Sequence, residues 1–84
     1  MDIFDIQTRV AQHFGIPLDA MLSRKRSRKF SYPRMIAIGL CREMTGASLL
    51  VLAKAFDRHH TTIMHSVSWC ERHYGDVAKV RERL

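Results

Sequence analysis

The stretch SLLVLAKAFDRHHTTIMHSV, residues 48–67, contains two short helical patterns separated by a polar connection. Its first half has apolar residues at i, i+3, i+4 and i+7, the spacing of an amphipathic helix, and Ser48 is a suitable N-cap. After the connection, residues 57–59, a second helical pattern begins at about residue 60. Two amphipathic helices joined this closely must cross steeply to share one core, which predicts a helix-turn-helix over about residues 48–73.

The other periodic segments also have helical spacing, and none alternates with the period of two that is typical of a strand. Further helices are expected at about residues 2–14, 18–22 and 33–45 and from residue 76 onward. Gly15, Gly46 and Gly75 are expected to end the helices that precede them. The predicted fold class is therefore all-α, a compact six-helix domain over residues 1–84 that contains the helix-turn-helix.

Positive charge is concentrated in one part of the chain. The formal net charge is +6, and residues 24–34 contain six basic residues and no acidic one. These are Arg24, Lys25, Arg26, Arg28, Lys29 and Arg34. Residues 23–31 are too polar to pack and are predicted to form a basic loop. Such a dense block favours a polyanionic partner, namely DNA, RNA or an anionic membrane surface, although a solvated charge run that only aids solubility has the same composition.

The first turn of the second helix carries hydrogen-bonding side chains, His59, His60, Thr61 and Thr62. In a helix-turn-helix this turn points outward, where such side chains suit the base edges of a DNA major groove. A flexible arginine-rich loop beside it suits the neighbouring minor groove, whose negative potential attracts arginine. Arg34 and Arg42 are candidates for phosphate contacts. These residues together predict a protein that binds double-stranded DNA.

Two segments match a known family in detail. The first is RKRSRKFSYPRMIAIGLCREMTGASLLVLAKAF and the second is RHHTTIMHS. They closely resemble domain IV of the bacterial replication initiator DnaA, and the resemblance extends over about residues 3–74. It implies a Trp-repressor-like helical fold that binds DNA and takes part in replication initiation or transcription regulation, with Arg26 in the minor groove. It also implies roles for other matching positions. Contacts to the DNA backbone are implied for Ser27, Arg34, Arg42, Ser48, Leu49 and Arg58, and contacts to bases and phosphate for His60, Thr61 and Thr62.

The chain departs from the family pattern at several points. His59 stands where the family has Asp, Met35 replaces Gln, and Leu50-Val51 replaces Pro-Glu. The connection before the second helix of the helix-turn-helix is also one residue shorter than in the family pattern. A carboxylate accepts from the cytosine amino group, whereas a neutral imidazole donates to purine N7, so His59 is expected to change which sequence is read.

Other function classes have little support in the sequence. No run approaches the ~20 apolar residues that a membrane span needs, and no signal peptide is recognised, so a cytoplasmic, nucleoid-associated location is expected. Cys41 and Cys70 lie among apolar residues and are expected to be buried free thiols. His60 and His65 are spaced poorly for a metal, and no nucleophile stands beside a base. We expect no catalysis, cofactor, metal or small-molecule substrate.

The glycines are isolated, and no Gly-rich phosphate loop of an ATPase is present. Because the chain begins with Met and a capped helix, we expect a short standalone protein rather than an excised fragment. The alternative function is a protein-interaction module that docks on or competes with the replication initiator, through an apolar patch of Leu50, Val51 and Met64. A monomer or a weak dimer is expected.

Overall fold

The computed structural model describes all residues from 1 to 84, and it contains six helices and no strand. In chain order they are α1 (Ile3–Phe14), α2 (Leu18–Leu22), α3 (Arg28–Thr45), α4 (Leu49–Phe56), α5 (His60–Arg72) and α6 (Tyr74–Glu82). The domain measures 27 × 25 × 23 Å along its principal axes. The predicted all-α fold is confirmed. None of the helices combines the length and the apolar character needed to cross a membrane.

The ends of three helices follow directly from local side chains. Asp2 and Asp5 form a capping box at the start of α1, and Gly15 ends that helix in the left-handed conformation at φ 65°. The Ser48 hydroxyl accepts from the backbone N–H of Val51 and so caps α4. Gly46 ends α3 at φ 68°. These side chains satisfy backbone groups that have no partner inside the helix, which is why the sequence could predict them.

The start of α3 differs from the prediction. The helix begins at Arg28 rather than near Pro33, because Ser27 caps it by accepting from Lys29 N–H and because Phe30 packs against the core. Pro33 therefore lies in the second turn. The predicted basic loop of residues 23–31 is reduced to residues 23–27, which we call the basic segment.

The boundary between α5 and α6 also differs from the prediction. Gly75 was expected to separate the two helices, but it lies inside α6, and the chain changes direction at His73. The His73 N–H bonds to the carbonyls of Trp69 and Cys70, which closes α5. Met44, near the end of α3, is exposed.

The core lies between α3 and the helices on either side of it. Ile36 and Leu40 of α3 are fully buried, as are Leu52 and Phe56 of α4 and Ile63 of α5. Helix α3 packs against every other helix of the domain, and most extensively against α1 and α5. The stripe predicted for α4 therefore does face the core, and α4 and α5 are held as a pair on one side of α3.

Helices α3 and α5 approach closely at Gly39. A Cβ atom at this position would lie 2.4 Å from Cys70 Sγ and 2.7 Å from Cys70 Cβ, so only glycine fits there. Cys70 Sγ in turn donates to the carbonyl of Met35 at 3.3 Å. No feature of the sequence pattern marks this glycine, which lies in the middle of a helix.

Candidate nucleic-acid interface

The first turn of α5 is exposed on its polar side and anchored on its apolar side. His60, Thr61 and Thr62 are exposed, whereas Ile63 is fully buried against the core. The turn begins after the three-residue connection, in which Asp57 adopts the left-handed conformation at φ 51°. Its N–H bonds to the carbonyls of Ala53 and Lys54 at the end of α4. The sharp turn therefore presents the N-terminus of α5 to the outside.

His59 is the N-cap of α5, a role that the sequence analysis did not assign. Its Nδ1 accepts from the backbone N–H of Thr61 at 3.2 Å. An Nδ1 that accepts carries no proton, so the neutral ring bears its proton on Nε2 and can donate from that atom. The ring lies against the His60 ring, with 4.3 Å between centroids. The sequence feature that could have predicted this cap is the position of His59 directly before the first helical residue, where Asp, Asn, Ser or Thr is usual.

The basic segment lies beside the connection between α4 and α5. Arg24 Nη2 forms an ion pair with Asp57 Oδ2 at 3.2 Å, and both residues line a shallow surface groove with His59. Arg26 is exposed and makes no hydrogen bond or ion pair with the protein. Ser27 is exposed at the cap of α3. The structure thus brings two of the predicted contact regions to neighbouring positions on one surface.

Arg34 is the one predicted contact residue that is buried. It was predicted to contact phosphate, but it is only 8% exposed. Its Nε donates to the carbonyl of Met21 at 2.6 Å and its Nη2 to that of Lys25 at 3.0 Å. Burial, and then the charge of Arg58, lowers the pKa of Arg34 from its ordinary value. In the free protein two of its nitrogens are therefore bonded to the main chain, and the phosphate contact of Arg34 stays a prediction.

Arg58 is also engaged inside the protein. Its Nη1 donates to the carbonyls of Phe56 and Asp57, at 3.1 and 3.0 Å, and its Nη2 donates to the carbonyl of Ser23. The side chain is half-buried, and burial, followed by the charge of Arg24, lowers its pKa while Asp57 raises it. The predicted contact of Arg58 with the DNA backbone stays a prediction.

Three more predicted residues lie near the start of α4. Arg42 is exposed, and its Nη1 donates to the carbonyl of Ala47 at 2.6 Å. Ser48 is exposed as the cap, and Leu49 is half-buried. A capping hydroxyl that accepts one N–H keeps its own proton for a further partner.

The helix-turn-helix family of bacterial DnaA proteins matches residues 3–69 of this chain. The chain belongs to this family. It is 45% identical over 71 residues to the chromosomal replication initiator protein DnaA of Methylobacillus flagellatus, which covers 83% of this chain. Over 83 residues and 98% of the chain, it is 40% identical to the DnaA of Acinetobacter baumannii.

A solved structure shows the same fold. The crystal structure of a DNA replication initiation factor superimposes with a TM-score of 0.86 at 31% identity, over 96% of this chain and 27% of that one. The chain spans only 15% and 16% of the length of the two DnaA relatives. The family resemblance inferred from the sequence is confirmed.

No three His, Cys, Asp or Glu residues are placed to hold a metal ion. Burial raises the pKa of the Cys41 thiol to about 12 and that of Cys70 to about 11, so neither is an activated nucleophile. The chemistry that the exposed turn and the basic segment offer is hydrogen bonding and positive charge.

Proposed function

We propose that this DnaA-type domain binds double-stranded DNA in a sequence-specific manner, with the first turn of α5 in the major groove. The observation that carries the proposal is the exposed polar turn His60–Thr62, held outward by the buried Ile63 behind it. Thr61 and Thr62 bring hydroxyls and methyl groups, which suit base edges and the thymine methyl. Nε2 of His59 adds a donor on the same turn.

The basic segment supplies the second element of the proposed interface. Arg26 is exposed and has no protein partner, so its guanidinium is available to enter the minor groove next to the recognition turn. We assign contacts with the DNA backbone to Ser27, Arg42, Ser48 and Leu49, which fix the register without reading sequence. The relatives are named chromosomal replication initiators, so we propose an origin or a promoter region within the bacterial nucleoid as the place of action.

A titration of fluorescently labelled duplex DNA tests the proposal. A random duplex should bind with an affinity that falls steeply between low and moderate salt, because each neutralised phosphate releases counterions. Selection from a random duplex pool should then enrich one motif. Absence of binding at low salt would overturn the proposal, and binding without an enriched motif would remove its sequence-specific part.

A second candidate function, docking on the replication initiator, rests on exposed apolar side chains. Leu50 is 72% and Val51 49% exposed, and both line the shallow groove next to the connection. A charged pair, Leu50→Glu and Val51→Lys, separates the two functions. DNA binding through α5 and the basic segment should keep its sequence preference in this variant, whereas binding to purified DnaA, measured by calorimetry, should be lost if this patch is the docking site.

A further inference from the structure

Two arginines lie between the basic segment and the helix-turn-helix, and all of their hydrogen bonds go to main-chain carbonyls. Arg34 reaches the carbonyls of Met21 and Lys25. Arg58 reaches that of Ser23 as well as those of the two residues before it. The basic segment is thus attached both to α3, through Arg34, and to the start of α5, through Arg58.

Both guanidinium groups lose part of their hydration in this arrangement, which disfavours their charged form. Burial lowers the pKa of each arginine, and the positive charge of Arg58 lowers that of Arg34 further. Neither guanidinium has a carboxylate partner that offsets the loss of water. The hydrogen bonds to carbonyls must therefore hold them in place, and removal of a guanidinium leaves those carbonyls without partners.

The carbonyls that accept these bonds lie where backbone groups need partners. Helix α2 has five residues and ends at Leu22, so no N–H of the helix donates to the Met21 carbonyl. The negative end of the helix dipole also favours a cation at this position. The Lys25 carbonyl directly precedes Arg26. The bond from Arg34 therefore ends on the residue directly before Arg26.

The ion pair on the surface contributes less. Arg24 and Asp57 have side chains that are 72% and 86% exposed, so water and salt screen their attraction. The bonds of the half-buried Arg58 and the buried Arg34 are less exposed to water than this ion pair.

We propose that Arg34 and Arg58 are positioning residues that hold the basic segment so that Arg26 stands at a fixed place beside the recognition turn of α5. On this account neither arginine contacts DNA, and each affects binding through Arg26. The inference rests on the proposed DNA binding for its consequence, but the restraint on residues 23–27 is a property of the free protein.

The restraint is measured without DNA, by the rate at which trypsin cleaves after Lys25 and Arg26 in the folded protein. Arg58→Gln should raise this rate about tenfold or more, because the segment opens more often when the Ser23 carbonyl loses its donor. Arg42→Gln is the matched control, since Arg42 also donates to a carbonyl but at Ala47, and it should leave the rate unchanged. Cleavage of Arg58→Gln at the wild-type rate would overturn the inference.

Arg34 is tested with a conservative change, because the buried guanidinium has a part in the fold. Arg34→Lys keeps one charge but cannot reach both carbonyls with a rigid fork, so it should also speed cleavage after Lys25. The thermal unfolding midpoint of each variant is measured in parallel. A cleavage rate that rises only as far as the loss of global stability predicts would count against a local restraint.

The DNA consequence is measured with a double-mutant cycle. If Arg58 acts through Arg26, Arg58→Gln should lower affinity several-fold in the wild-type background and have almost no effect once Arg26→Ala is present. Two independent phosphate contacts would instead multiply their losses and each flatten the salt dependence. If wild-type protein binds no duplex, the proposed function fails, and the trypsin experiment still decides whether the arginines restrain the segment.

Discussion

At the scale of single residues, His59 shows how one side chain can serve two purposes. Its Nδ1 caps α5 by accepting from Thr61 N–H, which leaves Nε2 as a donor on an exposed residue. The resemblance to the DnaA family places an Asp at this position, and a carboxylate can also cap the helix but can only accept. The substitution therefore keeps the helix start while it exchanges an acceptor for a donor on the recognition turn.

The variant His59→Asp tests both purposes. Asp is among the best N-cap residues and its charge suits a helix N-terminus, so the free energy of unfolding should rise by about 0.5–1 kcal/mol. The preferred DNA sequence should shift toward the one that a DnaA protein with Asp at this position selects. Urea unfolding and binding-site selection measure the two effects. His60→Asp is the control, because it adds the same charge one residue later without the cap, and it should stabilise less.

Thr61 is the residue that should separate specific from general binding. Its side chain is exposed and its hydroxyl has no protein partner, so Thr61→Ala should leave the fold unaffected. We expect a loss of on the order of 1 kcal/mol on the selected sequence and little change on random duplex. Arg42→Ala, at a proposed phosphate contact, should weaken both alike and reduce the slope of log affinity against log salt by about 1. Equal losses for Thr61→Ala on both DNAs would contradict its role.

At the scale of the elements, the distance between α3 and α5 is set by Gly39, a glycine that no local sequence pattern marks. Gly39 has no backbone conformation that requires glycine. Its importance comes from Cys70 of the facing helix, which occupies the space of the missing side chain. Because α5 carries the recognition turn, this contact also sets how that helix sits on the domain.

Gly39→Ala should destabilise the fold by about 1–3 kcal/mol, since its Cβ would lie 2.4 Å from Cys70 Sγ. Cys70→Ala in the same chain removes the nearer of the two clashing atoms and should recover part of that loss. Gly75→Ala is the matched control, because nothing lies within 4 Å of the new methyl group in α6, and it should stabilise by about 0.5–1 kcal/mol. Chemical denaturation of the four proteins measures these differences, and a neutral Gly39→Ala would contradict the close approach.

At the scale of the whole molecule, both thiols lie in the core and couple stability to alkaline pH. Burial raises the pKa of Cys41 from 9.0 to about 12 and that of Cys70 from 9.0 to about 11. A raised pKa in the folded state means that the unfolded chain loses its thiol protons first. The stabilisation is therefore complete below about pH 9 and is lost as the pH rises through 11 and 12.

The free energy of unfolding should fall between pH 9 and 11, by up to about 1.4 kcal/mol per pH unit for each thiol. Lysines and tyrosines titrate in the same range, so the comparison is between wild type and Cys41→Ala, whose decline should be shallower. Urea unfolding at a series of pH values measures both. Parallel pH profiles would show that the Cys41 thiol does not titrate differently in the folded protein.

The sequence by itself determined the features that depend on neighbours along the chain. The helix-turn-helix was predictable because the apolar period of α4, its Ser48 cap and the stop at Gly46 before it are all local. The end of α1 at Gly15 was predictable for the same reason. The exposure of Thr61 and Thr62 follows from the same period, since Ile63 faces the core. Family membership was equally visible, because it is carried by contiguous motifs.

Only the tertiary structure decided which basic residues are free. In the sequence Arg26, Arg34 and Arg58 look alike, yet in the structure only Arg26 is exposed. Arg34 is buried and donates to the carbonyls of Met21 and Lys25, and Arg58 donates to that of Ser23. The start of α3 at Arg28 depends in the same way on where Phe30 packs. Whether a guanidinium is free depends on the carbonyls that the fold brings within hydrogen-bonding distance. The Ser23 carbonyl that accepts from Arg58 is 35 residues away along the chain, so no local pattern could reveal this bond.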